Sequence, residues 1–192
     1  MRALLSCLFA AMLLLGASAA QAKDKPAKDQ PEETYSKNEV VDAAVRFFGG
    51  AAEGIATVVE KAFNDHGRPS AYITGEEASG AFGIGVRYGD GRLVRKAGGG
   101  RKVYWQGPSI GFDVGANASK VFMLVYHLNR TGDIFQRFPG VEGSYYFVAG
   151  VGMHYMQSGR MVLAPMRTGV GLRAGVNMNY IHFTPEKSFN PF

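Results

Sequence analysis

The sequence predicts a mainly β protein: a small antiparallel, water-soluble β-barrel with an amphipathic N-terminal helix, or a broken helix pair, packed on it. Three observations carry this reading. Residues 144–183 hold two long runs in which apolar residues alternate with small or polar ones. Phe147, Ala149, Val151, Met153 and Tyr155 share one face of the first run, and Val170, Leu172, Ala174, Val176, Met178 and Tyr180 share one face of the second. A period of two belongs to strands. Glycines recur on the opposite faces, as Gly150, Gly152, Gly171 and Gly175, and glycine inside a strand marks close backbone approach or a sharp bend, the habit of a tightly curved sheet. After Asn64 the chain reads as seven or more short strands and turns without intervening helices, the pattern of a barrel or sandwich.

The 192 residues suit one domain preceded by segments that do not belong to it. Arg2, the apolar run 4–17 and the small-residue site Ala20-Gln21-Ala22 make residues 1–22 a secretory signal peptide, cleaved after Ala22. The run is too short to span a bilayer. Cys7, the one cysteine, lies inside this leader. The mature chain therefore has no thiol for a disulfide, a zinc-thiolate site or cysteine catalysis. Export without disulfides points to the periplasm. Loss of Arg2 lowers the formal net charge from +5 to +4, a mild bias toward the phosphorylated lipids and polysaccharides of an envelope rather than nucleic acid.

Residues 23–35, rich in Lys, Asp, Glu, Pro and Gln, predict a disordered linker. Residues 36–66 predict the helical segment. Ser36 and Glu39 have capping-box spacing, and Val40, Val41, Ala44, Phe47, Phe48, Ala51, Ile55, Val58, Val59, Ala62 and Phe63 follow at helical spacing. Gly49, Gly50 and Gly54 suggest a break or a close crossing with the sheet. The polar face carries Glu39, Asp42, Glu53 and Glu60, the wrong sign for an anionic membrane surface, so the stripe is expected to pack on the sheet.

Residues 67–192 predict the barrel. Residues 72–77 and 82–88 read as separate strands, and Gly89-Asp90-Gly91 as a tight hairpin turn into 92–96. Gly98-Gly99-Gly100 is expected to break the chain, and Gly107-Pro108 to turn it into a strand over 110–116. Further strands are expected at 121–128, 145–157, 161–164 and 169–183, with a single helical turn over 133–138. The ending fails the alternation of an outer-membrane barrel, because Glu186, Ser188 and Asn190 share the parity of Phe192.

Motifs of catalysis are weak throughout. The match of 169–174 to G-x-G-x-x-G/A falls inside a strand pattern with no following helix, so no dinucleotide site is expected. Gly98-Gly99-Gly100-Arg101-Lys102 lacks phosphate-loop spacing. Glu76 and Glu77 point to opposite faces of a strand and cannot form a carboxylate pair together, while Asp113 has no spacing that would complete one. His66, His127, His154 and His182 show no metal-ligand spacing. No catalytic residue, metal or cofactor is expected, and the protein reads as a non-enzyme.

The strongest functional signal is basic. Arg92, Arg95, Lys96, Arg101 and Lys102, followed by Tyr104 and Trp105, form a cationic stretch opposed only by Asp90. Guanidinium groups fork onto phosphate or carboxylate, and aromatic faces stack on sugars or lie at headgroup level. These seven residues are the candidate binding site for an anionic envelope component: lipopolysaccharide, phospholipid or glycan.

Residues 72–80 (YITGEEASG), 104–113 (YWQGPSIGFD), 138–143 (FPGVEG) and 165–175 (PMRTGVGLRAG) resemble the EipA family of alphaproteobacterial periplasmic envelope-integrity proteins. The resemblance runs from about Tyr72 to Phe192. It implies a small periplasmic β-barrel needed for resistance to envelope stress, with no catalytic residues to carry over. Residues 107–128 more distantly resemble the glycine-rich core of SYLF domains, some of which bind lipid. The expected function is thus support of envelope integrity; the alternative is a barrel that carries a lipid or other hydrophobic ligand inside.

Overall fold

The computed structural model describes residues 33–50, 52–113, 119–168 and 180–188, with side chains outside 52, 79–84 and 109–113. The expected leader and most of the linker lie outside them, as does the alternating run 170–179.

The helical segment is a pair. Helix α1 (Lys37–Phe48) starts on a complete capping box, with Ser36 accepting from the Glu39 backbone and Glu39 reaching back to the Ser36 backbone. It ends at Gly49 in the left-handed conformation, φ +78°. Helix α2 (Ala52–His66) follows. Val40, Ala44, Ile55, Val58, Val59 and Ala62 are fully buried, and Glu39, Asp42, Glu53 and Glu60 are exposed.

Nine strands among the described residues form one antiparallel sheet. They are β1 (Ala71–Arg95), β2 (Gly100–Asp113), β3 (Ser119–Tyr126), β4 (Arg137–Pro139), β5 (Tyr146–Val148), β6 (Val151–Met153), β7 (Met156–Ser158), β8 (Met161–Thr168) and β9 (Tyr180–Thr184), with a 3-10 turn at Thr131–Ile134. The order is β4-β9-β2-β1-β3-β8-β6-β5, and β7 also pairs with β8. A bridge between Gly140 and Met156 joins the β4 side to β7, so the sheet curls back on itself.

Several turns differ from expectation. Strand β1 runs unbroken for 25 residues, so Gly89-Asp90-Gly91 is not a turn. The first half of β1 pairs with β3 and the second with β2, and its two ends meet where the Lys96 amide donates to the Ser70 carbonyl at 3.0 Å. The glycines serve this fold-back. A Cβ on Gly75 would lie 2.3 Å from the Asp90 carbonyl oxygen, and one on Gly91 2.3 Å from that of Thr74. No side chain fits there. The true hairpin turn lies at Lys96–Gly99, where Gly98 and Gly99 take φ of +87° and +82°. Gly107-Pro108 lies within β2, because the Tyr180 carbonyl oxygen occupies the space of a Gly107 side chain. Residues 145–157 are not one strand but β5, β6 and β7. Val148 and Val151 pair across a two-residue turn with Ala149 at φ +45° and Gly150 at φ +81°. The helical turn comes slightly early, at Thr131–Ile134, and 137–139 is strand.

Alternation sorts the side chains into two cores. Odd positions of β1, β2, β3, β8 and β9 point inward, where Ile73, Leu93, Trp105, Met123, Leu163 and Phe183 pack with Phe138 and Met156. Even positions of β3 and β8 point outward and are covered by the helices: Phe122, Leu124, Tyr126, Ala164 and Met166 meet Val40, Ala44, Ile55 and Val59. Burial of this size supplies the main stabilisation at roughly 25 cal/mol per Å² of apolar surface. Among the described residues no helix lies over the outer face of β1's second half, β2, β9 and β4. Among the described residues no helix is long and apolar enough to cross a membrane.

Candidate functional site: a basic end beside a seam cleft

The basic residues of the β1–β2 hairpin are divided by strand parity. Arg92 and Lys102 are cross-strand partners on the outer face, one step from the Asp90–Tyr104 pair. Lys102 Nζ lies 3.3 Å from an Asp90 carboxylate oxygen and 5.1 Å from the centre of the Tyr104 ring. Its hydrogen bond to Asp90 holds its pKa above the ordinary lysine value. Arg101 stands on the other face but remains exposed, its guanidinium 4.9 Å from the Phe135 ring centre.

Two of the predicted cations are fasteners. Arg95 Nη2 donates to the Asn129 carbonyl at 2.7 Å, and Lys96 pairs with Glu39 and lies over the Tyr35 ring, tying the hairpin to α1. Trp105 must be removed from the surface: it is 1% exposed and sits in the inner core against Phe183. Its odd position in β2 dictates this, while Tyr104 next to it faces outward. The structure adds Arg130, which follows Asn129 and is held to Asp133 at 3.1 Å with 85% of its side chain exposed. Arg92, Arg101, Lys102 and Arg130 thus form a basic end around the hairpin. Nothing in local sequence joins Arg130 to the others.

Beyond Gly75 and Gly91 the two halves of β1 separate, and a cleft of about 370 Å³ opens at this seam. Tyr88, Tyr104 and Gln106 line it, with Glu76, Asp90 and Lys102 around it and Lys187 and Ser188 from the chain after β9. Trp105 and Glu77 reach it from the interior.

Behind the cleft lies a buried ion cluster. The Glu77 carboxylate accepts Trp105 Nε1 at 2.9 Å and a fork from Arg167, Nε at 3.2 Å and Nη2 at 3.1 Å. Arg87 Nη1 stands 3.7 Å away, and its Nη2 donates to the Pro108 carbonyl at 3.4 Å. Burial alone would raise the Glu77 pKa; Arg167 and then Arg87 outweigh it and hold the group at about 2. Burial also lowers Arg87 to about 10, against the pull of Glu77. His154, desolvated beside both guanidinium groups, is lowered to about 3 and stays neutral. A carboxylate this acidic cannot shuttle protons near pH 7. Glu77 is a tie between β1, β2 and β8.

The other singled-out residues are scattered. Glu76 is exposed and Glu77 buried, as alternation requires; the Asp113 side chain and the G-x-G match at 169–174 lie outside the described residues. His66 packs edge-on against Tyr155, with ring centres 4.4 Å apart. Among the described residues no three His, Cys, Asp or Glu side chains converge to hold a metal.

A curled antiparallel sheet with two helices packed on it has a counterpart among solved structures. A family model described as envelope integrity protein A matches residues 33–192. The chain belongs to the EipA family. A crystal structure described as a β-barrel-like, uncharacterized protein from Brucella abortus is 48% identical, with a TM-score of 0.77, over 83% of this chain and 99% of that one. No curated protein matches. The family's name assigns the chain a role in envelope integrity, and the neighbour agrees with the barrel-like fold expected for EipA proteins.

Proposed function

We infer that this EipA-family protein is exported to the periplasm and supports the envelope without catalysing a reaction, by contacting a phosphate-bearing envelope component through its basic end. The observation that carries this reading is the exposure of Arg92, Arg101, Lys102 and Arg130 around one hairpin whose turn is locked to α1 by Lys96 and Glu39. The sheet fixes the backbone of Arg92, Arg101 and Lys102, and the Asp133 carboxylate holds Arg130, so the cations need little backbone ordering to reach a phosphate. The non-enzymatic part is supported by Glu77, whose low pKa and triple partnership suit structure rather than proton transfer.

The alternative of an acyl-chain carrier needs a hollow barrel. At the hairpin end the interior is occupied by Trp105, Phe138, Phe183, Met123 and Met156, all at most 1% exposed, which favours surface contact.

A deletion strain complemented with wild type or with the Arg92→Glu, Arg101→Glu, Arg130→Glu variant tests the proposal by detergent and polymyxin sensitivity. The deletion and the variant are expected to be sensitive. Full rescue by a variant present at wild-type abundance removes the basic end from the function, and an exported reporter fusion that stays in the cytosol removes the periplasmic reading.

A further inference from the structure

We propose that the seam cleft between the two halves of β1 is a saccharide-binding site, seating one or two sugar rings of an envelope glycan. Its volume, about 370 Å³, lies at the small end of ligand pockets and matches one or two sugar rings. Its chemistry is that of polyhydroxyl recognition. Two tyrosines, Tyr88 and Tyr104, supply ring faces and hydroxyl groups, and both lie on the outer face of adjacent strands. Asp90 and Glu76 are acceptors, and Lys102 is a donor.

Gln106 gives the clearest sign. It is 2% exposed and its side chain lines the cleft. An amide at the wall of a cleft offers one donor edge and one acceptor to whatever enters. Neighbouring sugar hydroxyl groups, each able to donate and accept, fit an amide that offers both on one edge. A bare phosphate fits poorly, because the cleft carries the carboxylates Glu76, Glu77 and Asp90. Phosphate recognition belongs to the basic end, and Lys102 stands where the two surfaces meet. A phosphorylated glycan would span both.

The inference rests on the envelope reading only for the source of the sugar. Trp105, the chain's one tryptophan, touches the cleft from below, so its fluorescence reports occupancy directly. The purified mature protein is titrated with two probes: core oligosaccharide released from lipopolysaccharide and freed of phosphate and acyl chains, and the disaccharide of peptidoglycan. A saturable change in Trp105 fluorescence with either probe is expected, and the responding probe identifies the source. Tyr104→Ala and Gln106→Ala, each checked by thermal unfolding, should weaken it at least tenfold, and Glu60→Gln, exposed on α2 and outside the cleft, should leave it unchanged. Silence with both probes at millimolar concentration overturns the proposal and leaves the basic-end reading intact. Binding retained by a folded Tyr104→Ala, Gln106→Ala double variant, or lost in Glu60→Gln, also overturns it.

Discussion

Gly75 and Gly91 press the two halves of one strand together so closely that each fills the other's side-chain space: a Cβ on Gly75 would lie 2.8 Å from the Gly91 Cα. This contact lets a 25-residue strand belong to both sides of the seam, and its upper edge is where the cleft begins. Gly75→Ala or Gly91→Ala forces backbone against backbone and is expected to destabilise the fold by about 3 kcal/mol. Gly132→Ala, which meets nothing within 4 Å, is expected to shift the denaturant midpoint little. Equal midpoints for Gly75→Ala and Gly132→Ala would refute the close approach.

Glu77→Gln keeps the shape of the ion cluster and removes its one anion. Arg87 and Arg167 would then face each other across an amide, a loss of about 3–5 kcal/mol as for other broken buried pairs. Glu76→Gln next to it, exposed, should stay within about 0.5 kcal/mol of wild type. Urea unfolding of the two variants separates them, and Trp105 fluorescence should change for Glu77→Gln alone, since only that carboxylate holds the indole N–H.

The pH dependence follows from the same cluster. His154 is neutral in the fold down to about 3, whereas its ordinary value is 6.5. Between those values the unfolded chain binds the extra proton, so stability falls as pH falls, by at most about 1.4 kcal/mol per pH unit from this group. Glu77, lowered from 4.5 to about 2, adds loss of the same sign below pH 4.5. Melting temperature should therefore drop from pH 7 to pH 5, and His154→Gln should lessen that drop, leaving the share of His66 and His182, which burial also lowers, and keeping the drop below 4.5. A profile unchanged by His154→Gln would contradict the buried neutral imidazole.

Ala149 occupies φ +45° at the first position of a two-residue hairpin turn, a conformation that costs a residue with a Cβ about 1 kcal/mol or more. Its side chain is exposed. Ala149→Asn restores the Asn-Gly pair that such turns prefer and is expected to stabilise by about 0.5–1 kcal/mol, read as a raised melting temperature.

Much of the fold was legible because its signals are local. The capping box at Ser36 and Glu39, the apolar stripe from Val40 to Phe63 and the break at Gly49 each act within a turn or two of chain, and all three are present in the helix pair. The antiparallel barrel-like sheet was foretold too, although the first of the two alternating runs breaks into β5, β6 and β7 at Ala149-Gly150 and the second lies outside the described residues. The turns were misplaced because glycine has two uses: Gly89 and Gly91 look like a turn but provide clearance for Trp105 and for Thr74, while the real β5–β6 turn uses Ala149 where asparagine would have announced it. The ion cluster was missed because Arg167 lies 90 positions from Glu77. One signal was available: Glu77 shares the parity of Ala71 and Ile73, so a charge stood on an otherwise apolar face and required a partner. Strand parity could also have placed Trp105, two residues from Val103, inside the barrel rather than on the basic surface.

The claim that the exposed cations carry the envelope contact is tested most directly by co-sedimentation of the purified protein with vesicles containing lipopolysaccharide, at low and at physiological salt. Wild type should bind and weaken as salt rises, and Arg92→Glu, Arg101→Glu, Arg130→Glu should fail to bind while melting at the wild-type temperature. Equal binding by the folded variant and wild type, insensitive to salt, would contradict it.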